Sequence, residues 1–216
     1  MRCDVTATLR EPADPAAIGA GTICPVQVAA DLLWQAARLS CGREVYCREG
    51  PRQVATILSD IGVGRGSSTD LELVEELCSL MVDVVPCGSA KGAARTTLDL
   101  LHSYPEEWER HVLRGRCTSL TCTMSFTVHV DPATCTGCQA CLPVCPVGAI
   151  RGGEGLIHVV DVEACTRCGA CLAACPVDAL AKAGPIKPRQ PVDPVPVGSF
   201  AGPAPGSGMR RRRRGA

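Results

Sequence analysis

Two stretches thirty residues apart carry one pattern. CTGCQACLPVCPVGAI at 135–150 matches CTRCGACLAACPVDAL at 165–180, and each reads Cys-x2-Cys-x2-Cys-x3-Cys-Pro. Thiolates are soft ligands suited to iron and zinc. Three of them at this spacing wrap three corners of an iron–sulfide cube, and the proline steers the fourth toward the cluster of the other repeat. The spacing therefore predicts two [4Fe-4S] clusters with crossed ligands. Cys135, Cys138, Cys141 and Cys175 hold one; Cys165, Cys168, Cys171 and Cys145 hold the other. Disulfides or zinc are the competing chemistries, but zinc rarely uses this triple spacing and two identical runs ending in Cys-Pro are hard to reach by chance. Gly137, Ala140, Gly169 and Ala170 beside the ligands leave room for backbone N–H groups to approach the sulfurs and tune them.

The whole chain has 216 residues and 16 cysteines, a usage that fits a disulfide scaffold or a metal protein. The N-terminus MRCDVTATLREPADP has no basic region followed by an apolar run, and no segment is apolar for long enough to cross a bilayer. The reading is a cytoplasmic protein with reduced thiols, free or attached to a membrane complex. Net charge is zero, but residues 185–216 hold seven Lys or Arg and one Asp, a net +6, so the rest carries −6. No basic stripe suits nucleic acid. Two each of Trp, Tyr and Phe are few for a conventional core, which suggests that something inorganic fills part of the interior.

Around these cysteines the texture of the chain predicts an α+β protein. Residues 1–25 read as loop or domain remnant. Residues 26–115 read as a small antiparallel bundle of four substantial helices and a short last one. The expected inward faces are Val26, Ala29, Ala30, Leu33 and Ala37; then Val54, Ile57, Leu58 and Ile61, behind Pro51 in a first turn; then Leu73, Leu77, Leu80 and Met81, behind a capping box at Thr69–Glu72; then Ala94, Leu98 and Leu101, behind Ser89. PEEWERHVLRG from Pro105 is the short one. Residues 116–125 read as a Cys-containing linker. Residues 126–184, opening on the strand-like FTVHVD, form a two-cluster domain of the bacterial ferredoxin kind, and 185–216 a disordered Pro/Gly/Arg-rich tail.

Two weaker constellations remain. In SCGREVYCREG (40–50), Cys41 and Cys47 flank Glu44 where a thiolate would complete a triple, and Cys87 on a nearby bundle loop is a sensible further ligand. His111, Cys117 and Cys122 form three quarters of a structural zinc site, with Cys24 or Cys78 available as the fourth; free linker thiols are the alternative. Cys3, Cys24 and Cys78 are otherwise single. Arg210–Arg214 fit a solvated tail or an anionic contact. No GxGxxG follows a strand and no Walker loop is present; GVGRG (62–66) lies between helices, so no catalytic residue and no FMN or NADH site is expected in these residues.

SCGREVYCREG resembles the SCGxCxPCRxG motif of the NADH-binding flavoprotein subunit of respiratory complex I, a family also found in NAD(P)-reducing and electron-bifurcating hydrogenases and NAD-dependent formate dehydrogenases. DLELVEELCSLMVDVVPCGSAKGAARTTLDLLHSYPEEWERH (70–111) is similar to that family's helix, fourth cluster cysteine and final helix. The resemblance implies a bundle cluster on Cys41, Cys47 and Cys87, with Glu44 at the corner where the family has cysteine. Tyr46 also stands where the family has proline. Three outcomes compete there: a cluster with Glu or water at one iron, a three-iron form, or a lost site. The resemblance further implies an electron-transfer role, passing electrons between a separate flavin- and NAD(P)H-binding protein and a redox partner such as a hydrogenase, a formate dehydrogenase or a quinone-reducing module. The rival readings are a freely diffusing ferredoxin-like carrier and a non-redox assembly remnant.

Overall fold

The computed structural model describes residues 14–200. Cys3 and Arg210–Arg214 lie outside the described residues, as do the outer parts of the expected N-terminal loop and C-terminal tail. The chain divides into two compact units, with the break between Phe126 and Thr127.

The first unit is helical. Its elements are α1 (Pro15–Gly19), α2 (Pro25–Leu39), α3 (Val45–Gly62), α4 (Ser68–Val84), α5 (Gly88–Ser103) and α6 (Pro105–Arg114). α2 packs on α3 and α5, and α4 packs on the same two helices. Prolines set three of the starts. Pro25 and Pro105 open α2 and α6, where a missing N–H costs nothing. Pro15 opens α1 behind Asp14, whose carboxylate accepts from the Ala16 N–H. The core holds Leu33, Val54, Leu58, Ile61, Val74, Cys78 and Trp108; the Trp108 indole N–H donates to the Leu100 carbonyl at 3.1 Å.

Several expectations need correction here. Residues 14–25 are not plain loop: α1 forms, and Cys24 is buried at the end of the segment. α3 starts at Val45, six residues before Pro51, so the proline sits inside the helix and Cys47 lies in its first turn. α4 is capped by Ser67 with Asp70 rather than from Thr69, the Ser67 N–H donating to the Asp70 carboxylate at 2.7 Å. Its buried face is Val74, Cys78 and Met81, while Leu73 and Leu80 are 41% and 43% exposed. The periodicity alone admits both faces; the neighbours α3 and α5 choose. On α2, Ala36 rather than Ala37 completes the buried stripe. Residues 116–125 are not a free linker either, because Cys117 and Cys122 are buried in the core of the helical unit.

The second unit is built on the repeat. β1 (Thr127–Val130) pairs antiparallel with β4 (Leu180–Ala183), and β2 (Ile150–Arg151) pairs antiparallel with β3 (Val159–Val160). A short helix, α7 (Ala170–Ala174), lies in the second repeat. The halves match bond for bond. The Asp131 and Asp161 carbonyls accept from the Cys135 and Cys165 N–H groups, both at 3.0 Å. The Asp131 and Asp161 N–H groups donate in turn to the Ala179 and Ala149 carbonyls at 2.7 and 2.8 Å. Each half thus closes the turn of the other.

Residues 185–200 depart from the expected disorder by lying along this unit. The Ile157 N–H donates to the Val195 carbonyl at 2.7 Å, the Val197 N–H to the Gly155 carbonyl at 2.9 Å, and Arg151 pairs with Asp193 at 3.0 Å. The composition of the segment is poor in core-forming residues, but the loop at 155–157 offers backbone groups that it satisfies.

Candidate metal centres

Two cavities in the second unit gather the cysteines of the repeat. One is lined by Cys135, Cys138, Cys141 and Cys175. The other is lined by Cys165, Cys168, Cys171 and Cys145. Each therefore holds three cysteines of one run and the last cysteine of the other. Most of the remaining wall is apolar, with Val130, Ala179 and Leu180 beside Thr136 and His158 in the first and Val128, Ile150 and Val160 beside Thr166 in the second.

The backbone is arranged for anionic sulfur. The Ala149 N–H donates to Cys145 Sγ and the Ala179 N–H to Cys175 Sγ, both at 3.3 Å, and the Arg167 N–H to Cys165 Sγ at 3.4 Å. Gly137 permits one close approach: a Cβ there would stand 2.7 Å from the Leu156 nitrogen, and its φ of +70° lies in the left-handed region. The Ala170 N–H draws the Cys168 thiol down. Burial pushes Cys141 up to about 11 and raises Cys171 as well, so their thiolate forms need a cation in the cavity. Four sulfurs per cavity, inward N–H donors and mostly apolar walls fit a cubane.

One lining residue was missed by the motif. His158 is buried, with its Nδ1 at 3.7 Å from Cys135 Sγ and 3.6 Å from Cys141 Sγ. Comparing the repeats beyond their cysteines would have flagged it, because the position thirty residues earlier is Val128.

A third group lies in the helical unit. The ligand atoms of Cys24, His111, Cys117 and Cys122 all fall within 4.8 Å of one another, and all four residues are buried. Cys24 Sγ is 3.3 Å from His111 Nε2 and 3.7 Å from Cys122 Sγ, and Cys122 Sγ is 3.4 Å from His111 Nε2. Tetrahedral zinc with sulfur at about 2.3 Å implies ligand–ligand edges of about 3.8 Å, slightly less to nitrogen. The observed separations have that size.

Local structure explains how the four meet. Pro25 keeps Cys24 extended at φ −86°, ψ 122°, so it caps α2 rather than joining it. His111 sits in the last turn of α6, and its Nδ1–H donates to the Glu107 carbonyl at 2.7 Å, which leaves Nε2 as the ligating atom. Gly115, at φ +56°, ends α6 in the left-handed conformation and turns the chain back, bringing Cys117 and Cys122 onto the site. Glu107 pins that return by accepting from the Thr118 N–H at 2.8 Å and hydroxyl at 2.7 Å.

The four groups perturb one another's protonation, and a metal would displace the protons they hold. Burial alone would lower His111, but hydrogen bonds to Cys117 and Cys24 lift it to about 10. Hydrogen bonds from Cys122 and Cys24 draw the Cys117 thiol far down, and Cys117 and Cys24 in turn push Cys122 up. Cys78, the other candidate for the fourth ligand, is a core thiol that burial pushes up to about 12.

The remaining candidates, Cys41, Glu44, Cys47 and Cys87, are placed less decisively. Cys47 and Cys87 are buried, Glu44 is half-buried and Cys41 is exposed. Glu44 is the N-cap residue of α3 and Cys87 that of α5, so Cys47 and Cys87 both stand at helix N-termini. Among the described residues only the group around His111 comes within the reach of a single ion.

Residues 27–111 match the NADH-ubiquinone oxidoreductase-F iron-sulfur binding region, and residues 127–176 match the 4Fe-4S dicluster domain. The chain is 34% identical over 135 residues to the NADP-reducing hydrogenase subunit HndC of Solidesulfovibrio fructosivorans, covering 62% of this chain and 28% of that protein. These matches make the chain similar to the iron–sulfur-binding, C-terminal part of the complex I flavoprotein subunits. A second relative, an NADH-quinone oxidoreductase component from Streptomyces coelicolor, is 31% identical over 78 residues, covering 36% of this chain and 17% of the relative. The NADP(+)-dependent formate dehydrogenase subunit beta of Moorella thermoacetica is 36% identical over 67 residues, covering 31% and 10%. This flavoprotein-subunit relative thus spans under a third of each of these proteins. Its two iron–sulfur domains mark it as an electron-transfer component. No helix among the described residues is long and apolar enough to cross a membrane.

Proposed function

We propose that this chain relays single electrons between a flavin-bearing NAD(P)H dehydrogenase protein and a second redox partner of the hydrogenase, formate dehydrogenase or quinone-reducing kind. In this reading Cys135, Cys138, Cys141 and Cys175 hold one [4Fe-4S] cluster, and Cys165, Cys168, Cys171 and Cys145 hold the other. When bound, such clusters supply one-electron chemistry. The protein's part is to hold them in a dry, apolar setting and to donate N–H groups to their sulfurs. The observation that carries the reading is the crossed lining of the two cavities.

The helical unit is the docking and entry side. Its four long helices form an antiparallel bundle with a third cluster on Cys41, Cys47 and Cys87 and with Glu44 at the fourth corner, as the match over 27–111 supports. Structural zinc on Cys24, His111, Cys117 and Cys122 ties the segments at 24 and 116–122 to α6. The metal closes long loops between residues distant in sequence, which is where a staple gains most. Residues 127–200 form the cluster-bearing domain with its C-terminal strap.

Iron and sulfide analysis of anaerobically reconstituted protein tests the reading. We expect about eight irons from the repeat, up to about four more from the bundle, and one zinc. Fewer than about five irons would overturn the two-cluster assignment. The relay is tested separately, by reduction of the loaded chain with NADH in the presence of a flavoprotein component and not in its absence. A freely diffusing carrier would be reduced without forming a stoichiometric complex with that flavoprotein.

A further inference from the structure

The two halves of the repeat unit are near copies, yet one cavity has a polar wall where the other does not. His158 and Val128 are thirty residues apart and occupy corresponding positions. Val128 lines the cavity of Cys145, Cys165, Cys168 and Cys171, and His158 lines that of Cys135, Cys138, Cys141 and Cys175. The imidazole directs Nδ1 at Cys141 Sγ, 3.6 Å away, and at Cys135 Sγ, 3.7 Å away. A cluster-ligating sulfur offers only acceptor capacity, so Nδ1 is the nitrogen that carries the hydrogen. Nε2 is buried with no hydrogen-bond partner. An unpartnered ring nitrogen is a cost that valine avoids, and the sulfur contacts are what the ring has to offset it.

The seat for this ring is also built. Extending the β2–β3 register by one places Gly152 opposite His158, and a Cβ at Gly152 would stand 1.9 Å from the His158 ring carbon Cδ2. At the matching pair in the other half, Val128 faces Lys182. Small residue with imidazole on one side and long residue with valine on the other make one coherent difference.

We propose that His158 is a tuning residue that holds the reduction potential of the cluster on Cys135, Cys138, Cys141 and Cys175 above that of its twin, making it the electron-accepting end of the pair. An N–H donated to a ligand sulfur stabilises the reduced cluster, which bears one more negative charge, more than the oxidised one. One electron given by the twin cluster therefore rests preferentially beside His158, with no proton moved. The inference rests on the crossed-cluster reading above.

The test is an EPR-monitored redox titration of the full, anaerobically reconstituted chain, using dithionite as reductant, with iron content measured on the same samples. His158→Val should lower the higher of the two repeat-domain couples by about tenfold in reduction equilibrium, or about 59 mV for one electron, and bring the two together. His158→Asn, which keeps an N–H near the Nδ1 position, should retain most of the separation. The double variant Val128→His with Lys182→Gly should raise the lower couple instead. Unmoved couples in an iron-replete His158→Val would overturn this inference alone, as would His158→Asn falling as far as His158→Val, which would mark the ring as mere packing. If His158→Val fails to take up its iron, the double variant decides: a raised lower couple supports the proposal and an unmoved one overturns it. An iron content of wild type below about five would overturn both this inference and the reading under it.

Discussion

The two proposed metal-binding regions of this chain gather their residues by opposite strategies. In the repeat unit, three cysteines of each cavity lie within seven residues, and the fourth arrives by a fixed exchange between halves. In the helical unit, the buried group draws on residues 24, 111, 117 and 122, and the packing of α2 against α6 has to be in place before Cys24 can meet His111. The first kind of site can nucleate its own domain around the metal. The second reports on whether the helices are already folded. Damage should therefore spread differently: ligand loss in the repeat removes a whole cluster, while loss of helical packing releases metal from residues the mutation never touches.

The largest effect should come from breaking the exchange between halves. Cys145→Ser and Cys175→Ser should each abolish or convert the cluster of the opposite run, with the loss of up to four irons and one EPR signal. If each variant instead perturbs the signal of its own run, the crossed assignment is wrong.

Next is the assembled site. Cys24→Ser should remove the stoichiometric zinc measured by elemental analysis and lower the thermal midpoint of the helical unit, because a buried Cys3His set without metal leaves charged groups unpaired. Trp108→Ala sharpens the contrast, since Trp108 ligates nothing but is fully buried in α6 beside His111. It should cost about 3–5 kcal/mol in chemical denaturation and weaken zinc retention, while the EPR of the repeat clusters stays unchanged. Loss of those clusters in Trp108→Ala would show that the two units do not stand apart.

A smaller effect is expected at the half-buried Glu44. A carboxylate is a harder and more exchangeable ligand than thiolate, so a bundle cluster should lose that iron first and give a three-iron EPR signal on brief oxidation. Glu44→Cys should suppress that signal. If Glu44→Cys takes up iron that the wild type does not, the natural site is dead. The smallest effect is local: Ser67→Ala should cost about 1 kcal/mol through the lost cap of α4, with metal content unchanged.

Much of this molecule was determined by sequence alone. The eight repeat cysteines carry their partners in their spacing, because a cubane demands thiolates at intervals that a short loop can span and a proline can redirect. The extents of α2 and α6 follow from prolines and apolar periodicity, whereas α5 begins at Gly88 behind Cys87 and takes Ser89, the expected cap, inside its buried face. Other features only the tertiary structure decided. Whether Leu73 or Val74 faces inward depended on α3 and α5, since neighbouring stripes on one helix are equally apolar in sequence. Cys24 rather than Cys78 joined His111 because Pro25 holds it at the open end of α2, whereas Cys78 is sealed within α4. The strap at 185–200 folds against backbone groups near residue 156 that no local pattern announces. His158 gained its place beside two sulfurs only when β2 and β3 paired and Gly152 left room for the ring. Spacing is written along the chain and can be read there; contact between distant residues is set by which surfaces remain to be buried once the local elements have formed.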